Sequence, residues 1–507
     1  MSNLKEGFIV AGFRVAPLSQ INPVRHEFGT VTAMSESALR TPPTRPIVSR
    51  EMLSRLDVPG PRYTSYPTAD RFVEAYGPAH YLQALQQRSQ GVGALTNGAG
   101  ALSIYVHVPF CESVCYYCAC NKVITRHHER AREYLDALKE EIRLVSSRLG
   151  RGQAVSQLHF GGGTPTFLSD DELQELLHAL QQAFRFLPDG EYAIEIDPRT
   201  IDAARLHHLS AMGFNRLSFG VQDFDPLVQQ AVHRIQPYEQ VAELVQAARA
   251  EGFTSINMDL IYGLPRQTPE GFRRTLAQVA GLRPERIALY AYAHLPQRFK
   301  PQRRIDVQTL PEPQDKVGML AAAIEAFSDA GYDYIGMDHF ALRHDSLAVA
   351  KRQGRLHRNF QGYSTLPDSD LIGLGVSAIG RVGAHYIQNA KTLDEYYDAL
   401  RRHELPVARG LTLTRDDLVR RAVIMAIMCQ GRVDFESIEL AYLVDFKQYF
   451  EAEMHLLEPL VESGLVQMES DGFRVTPVGW YFVRAVAMAF DRHLQADKAV
   501  ERFSRII

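Results

Sequence analysis

From Ser103 onward, short runs rich in β-branched and aromatic residues alternate with longer runs whose apolar positions recur at helical spacing. The strand candidates are residues 103–108, 156–160, 191–196, 216–220, 255–260 and 286–291. Between the first two, Ala131, Leu135, Leu138, Ile142, Val145 and Leu149 share one face and charges occupy the other. Ser169-Asp-Asp-Glu172 reads as a capping box opening the next helix. Six repeated βα units predict an α/β fold, a parallel sheet curved as a barrel or partial barrel, with function collected at the C-terminal strand ends. Beyond about residue 410 the pattern turns mainly helical. Thr414-Arg-Asp-Asp417 starts a helix carrying Leu418, Ala422, Val423, Ile424 and Ile427. Residues 465–468 and 473–475 flank the turn signal Glu469-Ser-Asp-Gly472. Helices followed by a hairpin predict a winged-helix-like module, and without a dense basic cluster its expected role is packing or a lid.

The beginning of the chain follows different rules. Residues 1–50 mix Pro, Ser, Thr and Arg with little periodicity, and Thr41-Pro-Pro-Thr-Arg-Pro46 favours an extended chain. A disordered extension is expected there, and Met34 offers an alternative start. Residues 51–100 form an arm containing Gly60-Pro-Arg-Tyr-Thr-Ser-Tyr-Pro-Thr68, expected to drape over the barrel as an extended segment, and a Gly-rich loop at 91–100. The barrel is assigned to 101–410 and the helical domain to 411–507.

Composition narrows the function classes. With 507 residues, 46% hydrophobic and 22% charged, the chain has the make-up of an ordinary multidomain globular protein. A net charge of −4 gives no whole-chain footprint for nucleic acid. No apolar run approaches the ~18–20 residues of a membrane span.

The chemistry concentrates in the loop leaving the first strand. Cys111, Cys115, Cys118 and Cys120 fall within ten residues. Thiolates suit iron–sulfur clusters or zinc. A zinc knot would need a second ligand pair well downstream, which is missing, and thiols that must stay reduced fit a cytoplasmic location. The C-x3-C-x2-C spacing differs from both ferredoxin spacings, and three thiolates on a [4Fe–4S] cube leave one iron open. Other polar groups sit at strand ends: Gly161-Gly-Gly-Thr-Pro165, Glu195 and Asp197, Gln222, Arg234, Asp259 and the stretch 291–296. Strand alternation points Glu195 and Asp197 one way. A buried carboxylate calls for a partner or a ligand, so Glu195 and Asp259 are binding candidates; for Asp197 a capping or ion-paired role is equally open.

The three-cysteine loop is similar to that of radical S-adenosylmethionine (SAM) enzymes, and Gly161-Gly-Gly-Thr-Pro165 to their GGGTP element. Across about 58–507 the chain resembles the family of oxygen-independent coproporphyrinogen III oxidases. The resemblance is carried by the arm motif, the cysteine loop, Phe219-Gly-Val-Gln-Asp-Phe224, Asp259-Leu-Ile-Tyr-Gly-Leu-Pro265, Gly336-Met-Asp-His-Phe340, His357-Arg-Asn-Phe-Gln-Gly-Tyr363 and Phe503-Ser-Arg-Ile-Ile507. One departure is Ala119, where a glycine is common; its methyl group implies a slight shift of the loop backbone toward SAM.

The resemblance implies that Cys111, Cys115 and Cys118 ligate a [4Fe–4S] cluster, with Cys120 near it as a non-ligand. It implies a partial (β/α)6 TIM-like barrel whose mouth is closed by the N-terminal arm and the C-terminal domain, and two SAM molecules. Tyr105, Gly162, Glu195 and Ile379 would hold the one bound to the open iron; Tyr117, Gly163, Thr164, Gln222, Arg234, Asp259 and Ala293 would hold the second. Tyr105, Cys120 and Glu195 are its catalytic candidates. The implied reaction turns two propionates of coproporphyrinogen III into vinyl groups through a 5′-deoxyadenosyl radical. It needs an unidentified low-potential reductant and an electron acceptor, and the family suggests a monomer. Cations at the mouth should orient the tetracarboxylate: Arg62, Lys351, Arg352, His357 and Arg358. The rival within the superfamily is a haem chaperone, which generally lacks a cysteine at the position of Cys120 and the Arg62-Tyr-Thr-Ser-Tyr-Pro67 arm.

Overall fold

The computed structural model describes residues 60–91, 100–150, 152–366 and 369–496. The expectations for 1–59, for most of the Gly-rich loop and for the closing motif at 503–507 lie outside these residues.

A twelve-stranded sheet organises the fold. Its strands are β1 (Leu102–Val108), β2 (Ala154–Gly162), β3 (Arg185–Ile196), β4 (Arg216–Gln222), β5 (Ser255–Tyr262), β6 (Arg286–Ala291), β7 (Tyr332–Gly336), β8 (His339–Leu342), β9 (Leu371–Leu374), β10 (Ile379–Val382), β11 (His385–Asn389) and β12 (Val407–Thr412). Strands β9-β1-β2-β3-β4-β5-β6 lie side by side and parallel. Antiparallel β10-β11-β12 extend one edge and β8-β7 the other. The order is open, yet side chains from β1 to β6, β8 and β10 line one cavity, so the sheet wraps as a partial barrel.

Period-two alternation sorts the strand residues. On β1, Leu102, Ile104, Val106 and Val108 are buried in the core, while Tyr105 and His107 face the cavity. On β5, Ile256, Met258, Leu260 and Tyr262 join the core, while Asn257 and Asp259 face the cavity. The expected helix spans Arg130–Leu149 and buries all six of its predicted apolar positions. The Ser169–Glu172 capping box is present.

Two stretches depart from expectation. The sequence pattern assigned no strand between 291 and 410, where β7 to β12 and the hairpin His357–Asn359/Gly362–Ser364 lie. These strands are three to six residues long, and several are buried almost throughout, so they show no alternation to mark them. The arm is not a simple extended segment. It carries a helix, Pro78–Ser89, with Pro78 in its first turn, and Tyr63 and Tyr66 are swallowed by the C-terminal core. Tyr63 Oη donates to Asp491 at 3.0 Å, and Arg484 Nε donates to the Pro61 carbonyl at 3.1 Å.

β12 ends at Thr412, and Thr414 caps the helix Arg415–Gln430. Then come Arg432–Asp434, three helices and the hairpin Val466–Met468/Gly472–Val475, a winged-helix-like order around Val423, Ile427, Phe435, Phe446, Phe473 and Phe490. Among the described residues, no helix is long and apolar enough to cross a membrane.

Candidate active site

Just past Pro109, the pair Phe110–Cys111 aligns with Val123–Ile124 and closes the cysteine loop at its base. Cys115 is buried, Cys111 and Cys118 are half-buried and Cys120 is exposed. Polar hydrogens converge on the sulfurs. Arg199 Nη2 and Arg234 Nη1 each stand 3.5 Å from Cys115 Sγ, and Thr164 Oγ1 stands 3.5 Å from Cys111 Sγ. A hydrogen bond from the Cys120 thiol, helped by Lys122, draws the Cys118 thiol down to about 6, whereas burial pushes Cys111 up to about 11.

Asp197 braces the two arginines. Its Oδ2 lies 2.7 Å from Arg199 Nη2 and 3.1 Å from Arg234 Nη1. Burial alone would raise this carboxyl, but Arg234 and Arg199 outweigh it and hold it down at about 2. Asp197 keeps the extended backbone of β3 one residue beyond its end at Ile196, but whereas Glu195 lines the cavity, the Asp197 carboxylate is taken up by Arg199 and Arg234. Asp197 lies past the strand and caps the turn Pro198–Thr200.

Glu195 lines the cavity. Its Oε1 lies 3.1 Å from His159 Nε2, and its Oε2 accepts the Gly162 N–H at 3.1 Å. Burial opposes the charge of Glu195, yet the His159 contact keeps its carboxyl below the ordinary range. The Gly triplet has two local reasons. A Cβ at Gly161 would stand 2.7 Å from Glu195 Oε1, and Gly162 has φ +116° and abuts the His107 ring. The Tyr105 ring stacks on His159 at 5.9 Å, and its hydroxyl lies 3.1 Å from His107 Nδ1. His107 Nε2 lies 2.9 Å from the Asn121 carbonyl, and burial lowers the imidazole's basicity, so the ring is neutral with its proton on Nε2.

Deeper along the wall, Asp259 accepts from Asn257 Nδ2 at 2.9 Å and Ser218 Oγ at 3.2 Å. Burial, aided by the charge of Glu195, lifts its carboxyl to about 6. Tyr105, Cys120, Gly162, Glu195, Asp259 and Ile379 all border one cavity of about 510 Å³, within the usual range for small-molecule sites. The other sequence candidates gather on the cysteine-loop flank. Gly163 and Thr164 donate their N–H groups to Val108 and Phe110. Gln222 turns at φ +66°, against the same glycine, Gly220, as Arg234. Tyr117 and Ala293 are tied together by Gln302 Nε2, 3.0 and 3.2 Å from their carbonyls. Gln302 and His159 escaped the sequence reading, since neither belongs to a local pattern.

The cationic candidates divide. The guanidinium of Arg62 lies 5.2 Å over the cavity-lining ring of Tyr290, and its Nη2 is 3.4 Å from Asp338. Arg358 is buried over Tyr363 at 4.6 Å and donates through Nε to the Arg62 carbonyl at 3.3 Å; with His357 it borders a separate cavity of about 230 Å³. Lys351 and Arg352 are not at the mouth. Lys351 is tucked 4.3 Å over Trp480, where burial lowers its amine to about 7, and Arg352 pairs with Asp333 at 2.8 Å on the surface.

The donor set fits the expected groups. Three thiols on one loop, within reach of N–H and O–H donors, have the chemistry of iron–sulfur ligands, though among the described residues no three side chains are drawn together closely enough to hold a metal ion, and a cavity with an aromatic wall and two carboxylates suits an aminoacyl nucleoside. Comparison with known proteins agrees. Residues 105–279 match the model of the radical SAM superfamily, and 413–482 match the HemN C-terminal domain. The chain is 48% identical to the oxygen-independent coproporphyrinogen III oxidase of Pseudomonas aeruginosa over 459 residues, covering 90% of this chain and 98% of that protein. It is 46% identical to the Escherichia coli K12 enzyme of the same name over 456 residues, with the same coverage. The solved coproporphyrinogen III oxidase (HemN) from Escherichia coli, described as a radical SAM enzyme, superposes with a TM-score of 0.81 at 47% identity, covering 85% of this chain and 98% of that one. With similarity running through barrel, cysteine loop and C-terminal module alike, the chain belongs to the oxygen-independent coproporphyrinogen III oxidases of the radical SAM superfamily.

Proposed function

We propose that this protein decarboxylates two propionate side chains of coproporphyrinogen III to the vinyl groups of protoporphyrinogen IX, using a [4Fe–4S] cluster and two molecules of SAM. The carrying observation is the opening of one cavity onto Cys120, Gly162, Glu195 and Asp259 beside the three-thiol loop. Bound together, cluster and SAM would supply hydrogen-atom abstraction from the propionate, after which carbon dioxide leaves and one electron passes to an external acceptor.

The chain's own residues do the rest. Cys111, Cys115 and Cys118 are the cluster ligands, and Cys120 stands by Cys118 as a hydrogen-bond donor. Arg199 and Arg234 stabilise negative charge on Cys115. Glu195, held by His159 and Gly162, takes the amino end of the first SAM; Tyr105 and Ile379 flank it. Asp259, held by Asn257 and Ser218 in the cavity wall, accepts ribose hydroxyls of the second, and the Tyr117–Gln302–Ala293 clamp on the cysteine-loop flank holds its other end. Arg62 orients a substrate carboxylate over Tyr290. The barrel wall and the arm keep water from the reacting carbon.

The test is anaerobic reconstitution followed by assay with coproporphyrinogen III, counting 5′-deoxyadenosine and vinyl product together. Two 5′-deoxyadenosines per protoporphyrinogen are expected. A stoichiometric haem adduct without protoporphyrinogen would overturn the reading in favour of a haem chaperone.

A further inference from the structure

We propose that the surface over the outer side of the cysteine loop, built from residues 114–117, 226–235 and 298–307, receives an acidic one-electron carrier protein; this rests on the cluster reading above. The three segments form one continuous face. Tyr116 donates its N–H to the Val232 carbonyl at 3.0 Å, and His233 Nδ1 lies 2.9 Å from the Val114 carbonyl. Gln302 ties the third segment to Tyr117, and Val228, Val232 and Ile305 pack beneath with Tyr116 and Tyr117. Tyr116 stacks on exposed His233 at 5.1 Å with an interplanar angle of 9°, and Arg304 lies over its ring at 5.3 Å. An aromatic pair and a cation thus connect the loop carrying Cys115 and Cys118 with solvent.

The face reverses the sign of the whole chain. The chain carries a net charge of −4, yet Arg298, Lys300, Arg303 and Arg304 fall within seven residues. Lys300, Arg303 and Arg304 are exposed and have no carboxylate partner among the described residues, whereas surface arginines such as Arg132, Arg143 and Arg401 sit in ion pairs. Asp306, the one acid in the segment, caps the Gln308 N–H at 3.1 Å. Beside these cations, Leu227, Ile235 and Val307 are 57%, 62% and 60% exposed. Apolar side chains among unpaired cations suit a transient partner of opposite charge, with electrostatics setting the encounter rate. None of these cations lines the 510 Å³ cavity, which argues for a protein partner over the substrate's carboxylates. The transfer is one electron: the carrier is oxidised by one and the oxidised cluster reduced by one, with no bond made or broken.

The test compares wild-type holoenzyme with Arg303→Glu/Arg304→Glu, using photoreduced flavodoxin as the acidic probe and following cluster bleaching by stopped flow. At low salt the variant's second-order rate should fall at least about tenfold, and the wild-type rate should drop steeply with added salt. Reduction by dithionite in high salt should change less than about twofold, since a small reductant needs no docking face. Flavodoxin affinity for the cluster-free protein, measured by surface plasmon resonance, should weaken in parallel. Equal flavodoxin rates and affinities in both proteins would overturn the proposal. So would a raised KM for coproporphyrinogen III with flavodoxin rates intact, which would assign the face to substrate. A wild-type protein with no dithionite-reducible cluster would sink the functional reading instead, and the affinity arm would still judge the face.

Discussion

Glu141 reaches from the helix behind the cysteine loop to the turn after β9, where its Oε2 accepts the Gly375 N–H at 2.7 Å. The same oxygen accepts from Tyr396 Oη at 2.6 Å, and Oε1 from Asn389 Nδ2 at 2.6 Å. The turn it pins carries Ser377, Ala378 and Ile379 into the cavity wall. Two turns earlier on the helix, Tyr134 Oη donates to the His107 carbonyl at 2.6 Å. One helix thus sets two parts of the pocket that the first SAM is proposed to fill, the turn through the fully buried Glu141 carboxyl and the His107 strand through Tyr134.

Glu141→Gln turns one acceptor into a donor facing the Asn389 amide, a mismatch worth about 1–3 kcal/mol. The expected outcome is a lower Tm and several-fold weaker SAM binding, with cluster iron unchanged. Glu141→Gln/Asn389→Asp should not rescue either, because Asn389 Nδ2 also donates to the Gly375 carbonyl at 2.9 Å and an aspartate there would face that oxygen. Burial lifts the Glu141 carboxyl to about 7. The native state therefore favours the protonated form, and that stability is lost as pH rises from the unfolded carboxylate range through about 7. Thermal scans should show the wild type's advantage over Glu141→Gln shrinking between pH 5 and 8; an advantage that widens would refute the assignment.

Cysteine substitution separates ligand from neighbour. Serine at Cys111, Cys115 or Cys118 should abolish stoichiometric iron after anaerobic reconstitution, since each removes one of three soft ligands. Cys120→Ser should keep its iron and lose turnover. Iron retained in the Cys111/Cys115/Cys118 triple variant would remove the cluster from this loop.

Much of the architecture was legible because strands buried on one face alternate cleanly. β1 and β5 announce both their core side and their cavity side, and Glu195 and Asp259 stand out as acids inside apolar runs. What escaped was whatever depends on distant partners. Gln302 meets Tyr117 185 residues away, and Glu141 meets Gly375 234 residues away, so no local spacing marks either as structural. Lys351 failed in the opposite direction. In Ala350-Lys-Arg352 it resembles a surface charge, but the fold lays it over Trp480, while its neighbour Arg352 stays outside.

Asp259 offers a stability–function contrast. Its carboxyl, raised to about 6 by burial and by Glu195, is ionised at pH 7.5 at a cost to the ligand-free fold. That cost is absent below the unfolded carboxylate range and complete above about 6. Asp259→Asn should therefore match or exceed the wild-type Tm at pH 7.5, with the gain vanishing near pH 4. Equilibrium dialysis should count two SAM per wild-type protein and about one in the variant. Two retained in Asp259→Asn would detach this residue from the second site.

Arg62 and Arg358 act as a couple at the arm. Arg62 stacks over Tyr290, and Arg358, buried over Tyr363, holds the Arg62 carbonyl in place. Arg358 Nη1 meets no acceptor among the described residues, an expensive state for a buried guanidinium. Between the two, burial together with Arg358 and Arg62 drives His339 down to about 3, so this ring stays neutral, and the two guanidiniums face one carboxylate, Asp338, 3.4 Å from Arg62, which leaves a net positive charge. A substrate carboxylate is the natural counterion. One charge-assisted hydrogen bond is worth about 1.5–3 kcal/mol, so Arg62→Ala should raise the KM for coproporphyrinogen III about tenfold or more with kcat less affected. Arg358→Ala should raise it too, by releasing the arm, without lowering Tm in proportion, because an unpaired buried charge disappears with it. Arg352→Ala, remote on Asp333, should leave KM alone. Steady-state kinetics that are unchanged in both Arg62→Ala and Arg358→Ala would take the couple out of substrate binding.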